Sequence, residues 1–416
     1  MPHGSLPAWF AAAPFATLLC AIAVLPLAAP AFWEHNRNKA IVSGILATPI
    51  FIWLGLQKPT ALLHSLHEYV AFLLLVGSLF VITGGIFIEG DLEGKPETNV
   101  AIMALGATLA NIIGTTGASL LLIRLLLRTN GQRQHTVHLP VFFILLVSNC
   151  GGLLTPLGDP PLFLGYLRGI PFTWTLRLYP IWALTIAYLL AVLWVVDRRA
   201  YAKEPITSLE LDRAERLPIK IHGWRQLAFL GLVIGSVFLS SPWRELVMLS
   251  AGLGGFFLTK PNLHSKNAFS FGPVIEVGIL FLALFITMVP ALELLKVEGP
   301  RLGLASPVEF FLATGALSSV LDNAPTYLAL LSAAEGLGLK GEWAGGVTTL
   351  HLTAISLGAV FMGANTYIGN GPNFMVKAVA DQAGWKTPSF FRYSGMALLT
   401  LGPVYLALVA YFTWAV

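Results

Sequence analysis

Charge is what this chain has least of. Of 416 residues only 11% are Asp, Glu, Lys or Arg, while 56% are hydrophobic and the mean hydropathy is +0.75. A water-soluble domain carries roughly a quarter charged residues, so this composition excludes a soluble globule and indicates a chain whose solvent is mostly lipid. Cysteine is scarce as well. Cys20 and Cys150 both lie in apolar runs, which leaves no disulfide framework and no cysteine metal site. There is no GxSxG elbow, no Walker lysine motif and no HExxH, so the chain reads as a transporter without a cofactor rather than an enzyme. The surplus of 25 Lys and Arg over 21 Asp and Glu is only +4. In a membrane chain that surplus reports loop bias, not a nucleic-acid partner.

What is present is a series of apolar runs, at 10 to 32, 40 to 57, 67 to 89, 99 to 127, 138 to 168, 174 to 196, 225 to 241, 243 to 259, 272 to 295, 306 to 334, 344 to 378 and 392 to 415. No Lys or Arg precedes the first run, so it reads as a retained span rather than a cleaved signal. The one long polar segment, 197 to 223, reads as a cytoplasmic linker between a first repeat, 1 to 196, and a second, 224 to 416.

The two halves match at a nearly constant offset. Glu68 pairs with Glu276 at 208, Gly106 with Gly315 at 209, and Thr155 with Thr366 at 211. Such internal similarity is the mark of a repeat architecture. Two runs in each half are interrupted. Runs 99 to 127 and 306 to 334 carry Gly114-Thr-Thr-Gly117 and Asp322-Asn-Ala-Pro325 and read as re-entrant hairpins. Runs 138 to 168 and 344 to 378 carry Thr155-Pro-Leu-Gly-Asp-Pro-Pro161 and Thr366-Tyr-Ile-Gly-Asn-Gly-Pro372 and read as broken helices. Unwound backbone at membrane depth is tolerated only inside protein or along a wet cavity, so the four interruptions are expected to converge on one site.

If the hairpins do not cross, each half has five crossings and the second half is inverted. Alternating the sides places Lys58, Arg168, Arg177, Arg244, Lys296, Arg301 and Lys340 with the N-terminus, and the other 18 of 25 basic residues opposite. By the positive-inside rule the richer side is cytoplasmic. The expected fold is all-α and polytopic, with about ten transmembrane helices, two opposed hairpins and both termini outside a bacterial-type inner membrane.

Asp159 and Asp322 are the acids expected deepest in the bilayer. Carboxylates there are costly and mark ion or substrate sites, though each also precedes a proline in the manner of a helix cap. Thr115, Thr116, Asn149, Thr155, Asn323, Thr326, Thr366 and Asn370 supply neutral oxygens around them, which suits a hard cation such as sodium. A buried carboxylate can trade a cation for a proton, because burial favours its neutral form and a bound cation its charged form. No Lys or Arg falls in the four interruptions, so the electrostatics favour a small inorganic cation and a proton over an organic anion. Glu68 and Glu276 stand near the starts of their spans and His351 in the ninth; each is either a packed polar residue or a proton or pH-sensing group.

The elements NCGGLLTPLGDPP (149 to 161), NIIGTTGAS (111 to 119) and LDNAPT (321 to 326) resemble the NhaD-type sodium/proton antiporters and their citrate-transporter-like relatives in the ion-transporter superfamily. The resemblance runs from about residue 60 to 380. It implies a scaffold and a transport core, often a homodimer moving in an elevator-like manner, with an ion site at Asp159, Asp322, Asn323, Thr115 and Thr116. The chain departs from the pattern where the first hairpin tip has Gly-Thr-Thr-Gly instead of an Asp-Asn pair, and where Asn370 stands opposite Asp159. Ser148-Asn149-Cys150 partly resembles the Ser-Asn-Thr signature of dicarboxylate carriers, which makes a cation-coupled citrate or dicarboxylate carrier the alternative.

Overall fold

Where water is excluded, backbone amides must bond within the chain, and helices do this most directly. In the computed structural model, which describes residues 8 to 214, 216 to 267, 269 to 339 and 342 to 415, nearly every apolar run is helical. The first half contains α1 (Ala8–Ala28), α2 (Pro30–Trp33), α3 (Asn36–Gln57), α4 (Pro59–Gly84), strand β1 (Phe87–Glu89), α5 (Pro96–Thr129), α6 (His138–Leu146), α7 (Pro160–Leu167) and α8 (Tyr179–Tyr201). Then come α9 (Ile206–Ala214), β2 (Lys220–His222), α10 (Gln226–Ser236), α11 (Trp243–Phe257), α12 (Pro261–Lys266), α13 (Gly272–Glu298), α14 (Pro307–Ser318) and α15 (Asn323–Glu335). Strands β3 (Trp343–Ala344) and β4 (Val347–Thr348) precede α16 (Thr349–Met362), α17 (Gly371–Gln382) and α18 (Phe390–Trp414).

Seven of these helical segments are long and apolar enough to cross a membrane. The protein is an all-α polytopic membrane protein. The expectation of ten spans also includes α10 and α11, which have 11 and 15 residues. At about 1.5 Å per residue both fall short of a hydrocarbon core about 30 Å thick. Lys340, assigned above to the N-terminal side, lies outside the described residues.

The longest helix does not run straight. A straight helix would hold Asn99 and Asn130, near the two ends of the 34-residue α5, about 46 Å apart. Instead Asn99 and Asn130 bond each other through both side-chain amides, at 2.9 and 2.7 Å. The fold-back occurs at Gly114, whose φ of 76° and ψ of 156° lie in a region that essentially only glycine adopts. Run 99 to 127 is therefore two antiparallel arms. The second interrupted run folds similarly: α14 opens with a Ser306–Glu309 capping box, and α15 begins after Asp322 and packs on α14.

Runs 138 to 168 and 344 to 378 also break where their prolines and glycines predict. After α6 a short 3-10 segment, Cys150–Leu154, leads to extended Thr155, and Asp159 is the N-cap of α7. After α16 the segment Gly363–Asn365 leads to extended Thr366, and Asn370 is the N-cap of α17. The turn in the first break is tight enough that a Cβ on Gly158 would lie 2.1 Å from the carbonyl oxygen of Gly152.

Helix α4 packs against α13 and α11, and α13 also packs on α3 and α1. These apolar contacts form a frame beside the interrupted elements. The polar segment 197 to 223 is not a free tether. Asp197 belongs to the last turns of α8, Asp197, Glu204 and Asp212 are all buried, and β2 pairs antiparallel with β1.

Candidate functional site

Each hairpin is tied to the broken helix that follows it. The Thr155 hydroxyl donates to the carbonyl of Asn111 in the first hairpin, and the Thr366 hydroxyl donates to the carbonyl of Ser319 in the second. The tip of the first hairpin docks further: the Thr115 amide donates to the Gly158 carbonyl at 2.8 Å, and Asn111 Oδ1 accepts the Leu154 amide at 2.7 Å. Thr155 and Thr366 thus hold the backbone in place, and their hydroxyls are spent on that task.

Asparagines join the two breaks to each other. Asn149 donates to Asn373 Oδ1 at 2.7 Å, while Asn370 donates to Asn149 Oδ1 at 3.2 Å. Asn373 in turn donates to the carbonyls of Gly363 and Thr366, both at 2.9 Å. All three side chains are fully or nearly fully buried. Their amides satisfy carbonyls that the unwound segments leave without helical partners.

All four interruptions meet at Asp159, which is 1% exposed. Its Oδ1 accepts from the Thr115 hydroxyl of the first hairpin and from Asn370 Nδ2 of the second break, each at 3.2 Å. Its Oδ2 accepts from Asn323 Nδ2 of the second hairpin at 2.8 Å. Asn323 Oδ1 is buried beside it without a hydrogen-bond partner. A cavity of about 40 Å³ opens against this point, lined by Thr115, Thr116, Gly158, Asp159 and apolar side chains of α4 such as Leu79, with no Lys or Arg in its wall. That volume holds a few water-sized groups.

The other expected residues take different positions. Asp322 is partly buried and caps α15, its Oδ1 accepting the Ala324 amide at 3.0 Å. Thr326 donates back to the Asp322 carbonyl at 2.9 Å, within its own helix. Glu68 is buried on α4 and lies 3.6 Å from Arg168, the residue that ends α7, and 3.5 Å from His64. Glu276 pairs with buried Lys39 at 2.7 Å, between α13 and α3. His351 has both ring nitrogens engaged, by Thr348 at 2.7 Å and the Ala305 carbonyl at 3.0 Å. Neither Glu276 nor His351 contacts the Asp159 cluster. Among the described residues no group of three or more His, Cys, Asp or Glu stands together as a metal site. The Asp159 cluster is one carboxylate among neutral amides and hydroxyls.

Two features go beyond what composition and motif showed. Asn373, one of the polar residues at the second break, and Asn111, the first residue of NIIGTTGAS, carry ties between the interrupted elements whose partners the sequence did not indicate. At the base of the first hairpin lies a buried ionic cluster. Arg133 bonds Asp197 at 2.5 Å, Glu204 at 3.5 Å and the Asn130 side chain at 3.0 Å, while His138 lies 2.9 Å from Asp197. Glu204 also accepts the amides of Gln134 and His135, both at 2.8 Å. Burial pushes the Glu204 carboxyl up, but these amides and Arg133 outweigh it and leave the group below its ordinary value of 4.5.

Helices interrupted in pairs around one buried, desolvated carboxylate define a class, the secondary transporters built on broken and folded-back helices. The chain belongs to the family described as "Putative citrate transport", which matches residues 4 to 413. No curated protein matches the sequence. The family establishes a transporter of the citrate-transporter type.

Proposed function

We propose that this transporter exchanges sodium or lithium for protons, with Asp159 as the group that holds the cation and the proton in turn. The observation that carries the reading is the convergence of four interrupted elements on one buried carboxylate with no basic residue in the cavity wall. In the exchange, protonated Asp159 releases H+ as Na+ binds the carboxylate, so one positive charge replaces another. Thr115 and the Asn323 side chain complete the oxygen set; a half-turn of the Asn323 amide brings its unpartnered Oδ1 to the cation in place of Nδ2. Asp322 adds a second negative charge nearby without being a direct ligand in this geometry.

The supporting physics is differential. A monovalent cation needs only a few oxygens at a desolvated point, whereas an organic trianion would meet Asp159 with no compensating cation in the wall of a cavity of about 40 Å³. We assign the protein to a bacterial-type inner membrane as a homodimer with both termini outside, its Asp159 cluster moving against the α4–α13 frame.

A second reading, a cation-coupled carrier of citrate or a dicarboxylate, is favoured by the family description and by Ser148-Asn149. One experiment divides the two. Everted vesicles containing the protein are energised and proton release is followed with a pH-sensitive dye on adding Na+, Li+ or K+. The antiporter gives a Na+- or Li+-dependent signal that disappears in Asp159→Asn. No signal with any cation, together with uptake of labelled citrate or succinate in proteoliposomes, would overturn it in favour of the carrier.

A further inference from the structure

The segment that joins the halves presents an unusual surface. Strand β2 is fixed: it pairs with β1 in the register Glu89 opposite Lys220, and Leu217 exchanges bonds with Asp91, its amide donating to Asp91 Oδ1 at 2.9 Å. Ile221 lies in this strand, and Leu217 and Ile219 lie in the extended segment that leads into it; all three are exposed. Leu217 is 60%, Ile221 62% and the following Trp224 70% exposed. Rigid, apolar and uncovered, this edge runs directly into the apolar helix α10.

Basic residues rim it. Arg216, Lys220 and Arg225 are exposed. Two of the acids nearby are already paired: Glu89 is shared by His222 at 2.6 Å and Lys266 at 3.1 Å, and Glu93 by Lys95 and Arg213, both at 2.8 Å, with Arg216 at 4.0 Å. Lys220 and Arg225 have no ion-pair partner among the described residues. Apolar side chains backed by surplus positive charge, at the mouth of a membrane helix, match one partner in chemistry, the surface of a bilayer rich in anionic headgroups.

We propose that the edge Leu217 to Arg225 binds anionic phospholipid, with Ile219, Ile221 and Trp224 at the acyl boundary and Arg216, Lys220 and Arg225 on the headgroup phosphates. The role is independent of what the transporter carries. Anchored on one side to lipid and on the other, through β1 and Asp91, to the start of the first hairpin, the segment makes lipid charge a determinant of how firmly the hairpin base is held.

The test uses the full chain in neutral detergent, titrated with phosphatidylglycerol or phosphatidylcholine while the unfolding midpoint is read by fluorescence. Phosphatidylglycerol is expected to raise the midpoint and phosphatidylcholine to leave it unchanged. In R216Q/K220Q/R225Q the half-maximal lipid concentration rises at least about tenfold, three headgroup charges having been lost. The lipid-free midpoint of that variant stays within about 1 °C, since the residues are exposed. Ile219→Ser with Ile221→Ser weakens the response without changing charge. Quenching by brominated phosphatidylglycerol that is present in the wild type and reduced in Trp224→Phe locates the contact. Equal responses to the two lipids, or an undiminished response in the triple variant, would overturn the assignment. So would a wild-type rise reproduced by inorganic phosphate, which would make the ligand a free phosphate.

Discussion

Among the described residues Arg133 is the one Arg or Lys bonded to Asp197 and to Glu204, and replacing it by Met removes that charge from both. The Arg133 side chain is 1% exposed and its two acidic partners 0%. The substitution keeps the bulk of the stem and strands two carboxylates in a dry environment. Asp197 retains Asn99 at 2.8 Å and His138, and Glu204 retains two backbone amides. These soften the loss without supplying full charge. Breaking one side of a buried pair costs about 3–5 kcal/mol. With an unfolding entropy of roughly 2 cal/mol/K per residue, that corresponds to a midpoint lower by about 3–6 °C in detergent. Asp197→Leu added to Arg133→Met removes the stranded charge along with its partner and restores at least half the loss, since buried pairs are often replaceable by apolar groups of like volume. Arg133→Lys falls between, because the guanidinium reaches Gly94, Asn130, Asp197 and Glu204 at once and a single ammonium cannot. A shift below about 1 °C for Arg133→Met would refute the reasoning. It would mean that water or local relaxation solvates the acids, and the clamp would then contribute nothing to the hairpin base.

Other outcomes follow from particular contacts. Gly114→Ala places a Cβ at φ 76° and 3.3 Å from the Leu157 carbonyl; about 1–3 kcal/mol of strain either destabilises the protein or shifts the hairpin tip, read as a lowered midpoint and a raised half-saturation for cation. Asn373→Ala leaves the carbonyls of Gly363 and Thr366 and the amide of Asn149 short of a partner. Thermal unfolding should show a loss of about 1–3 kcal/mol per stranded group, an intact midpoint contradicting the tie. Glu204 has its carboxyl held below 4.5, so its contribution is complete above that pH and is lost as pH falls through the lowered value. Protection of the amides at 202 to 214, taken relative to the intrinsic exchange rate at each pH, should therefore be high at pH 7, fall as pH drops through the lowered value and lose that acid dependence in Glu204→Gln, uniform protection across the range counting against it.

The positions of the helices were legible because lipid leaves the backbone few choices, and runs of apolar residues state those choices plainly. The breaks were legible too, since Pro160, Pro161 and Pro372 cannot continue a helix with an unbroken ladder, and Gly114 weakens one. Run length was a poorer guide to crossing. Runs 225 to 241 and 243 to 259 look alike in hydropathy to full spans, yet their helices stop at Ser236 and Phe257.

Which polar residues meet was another matter. Thr155, Thr366 and Asn370 are equally conspicuous as polar side chains near a break, but only Asn370 reaches Asp159, while both threonine hydroxyls turn to hairpin carbonyls. The direction of a side chain from an unwound segment depends on the partner it finds, and that partner lies 44 to 47 residues away.

The sequence by itself determined a lipid-solvated, all-helical chain, the points at which its helices must break, and the acids too costly to lie there without a use. Only the tertiary structure decided that the breaks of both halves share Asp159, that Asp322 serves first as a cap, and that Arg133 closes the hairpin base over Asp197 and Glu204. The reason is physical: local rules of backbone and hydropathy act over a few residues, whereas a buried charge takes its partners from wherever the packed chain brings them.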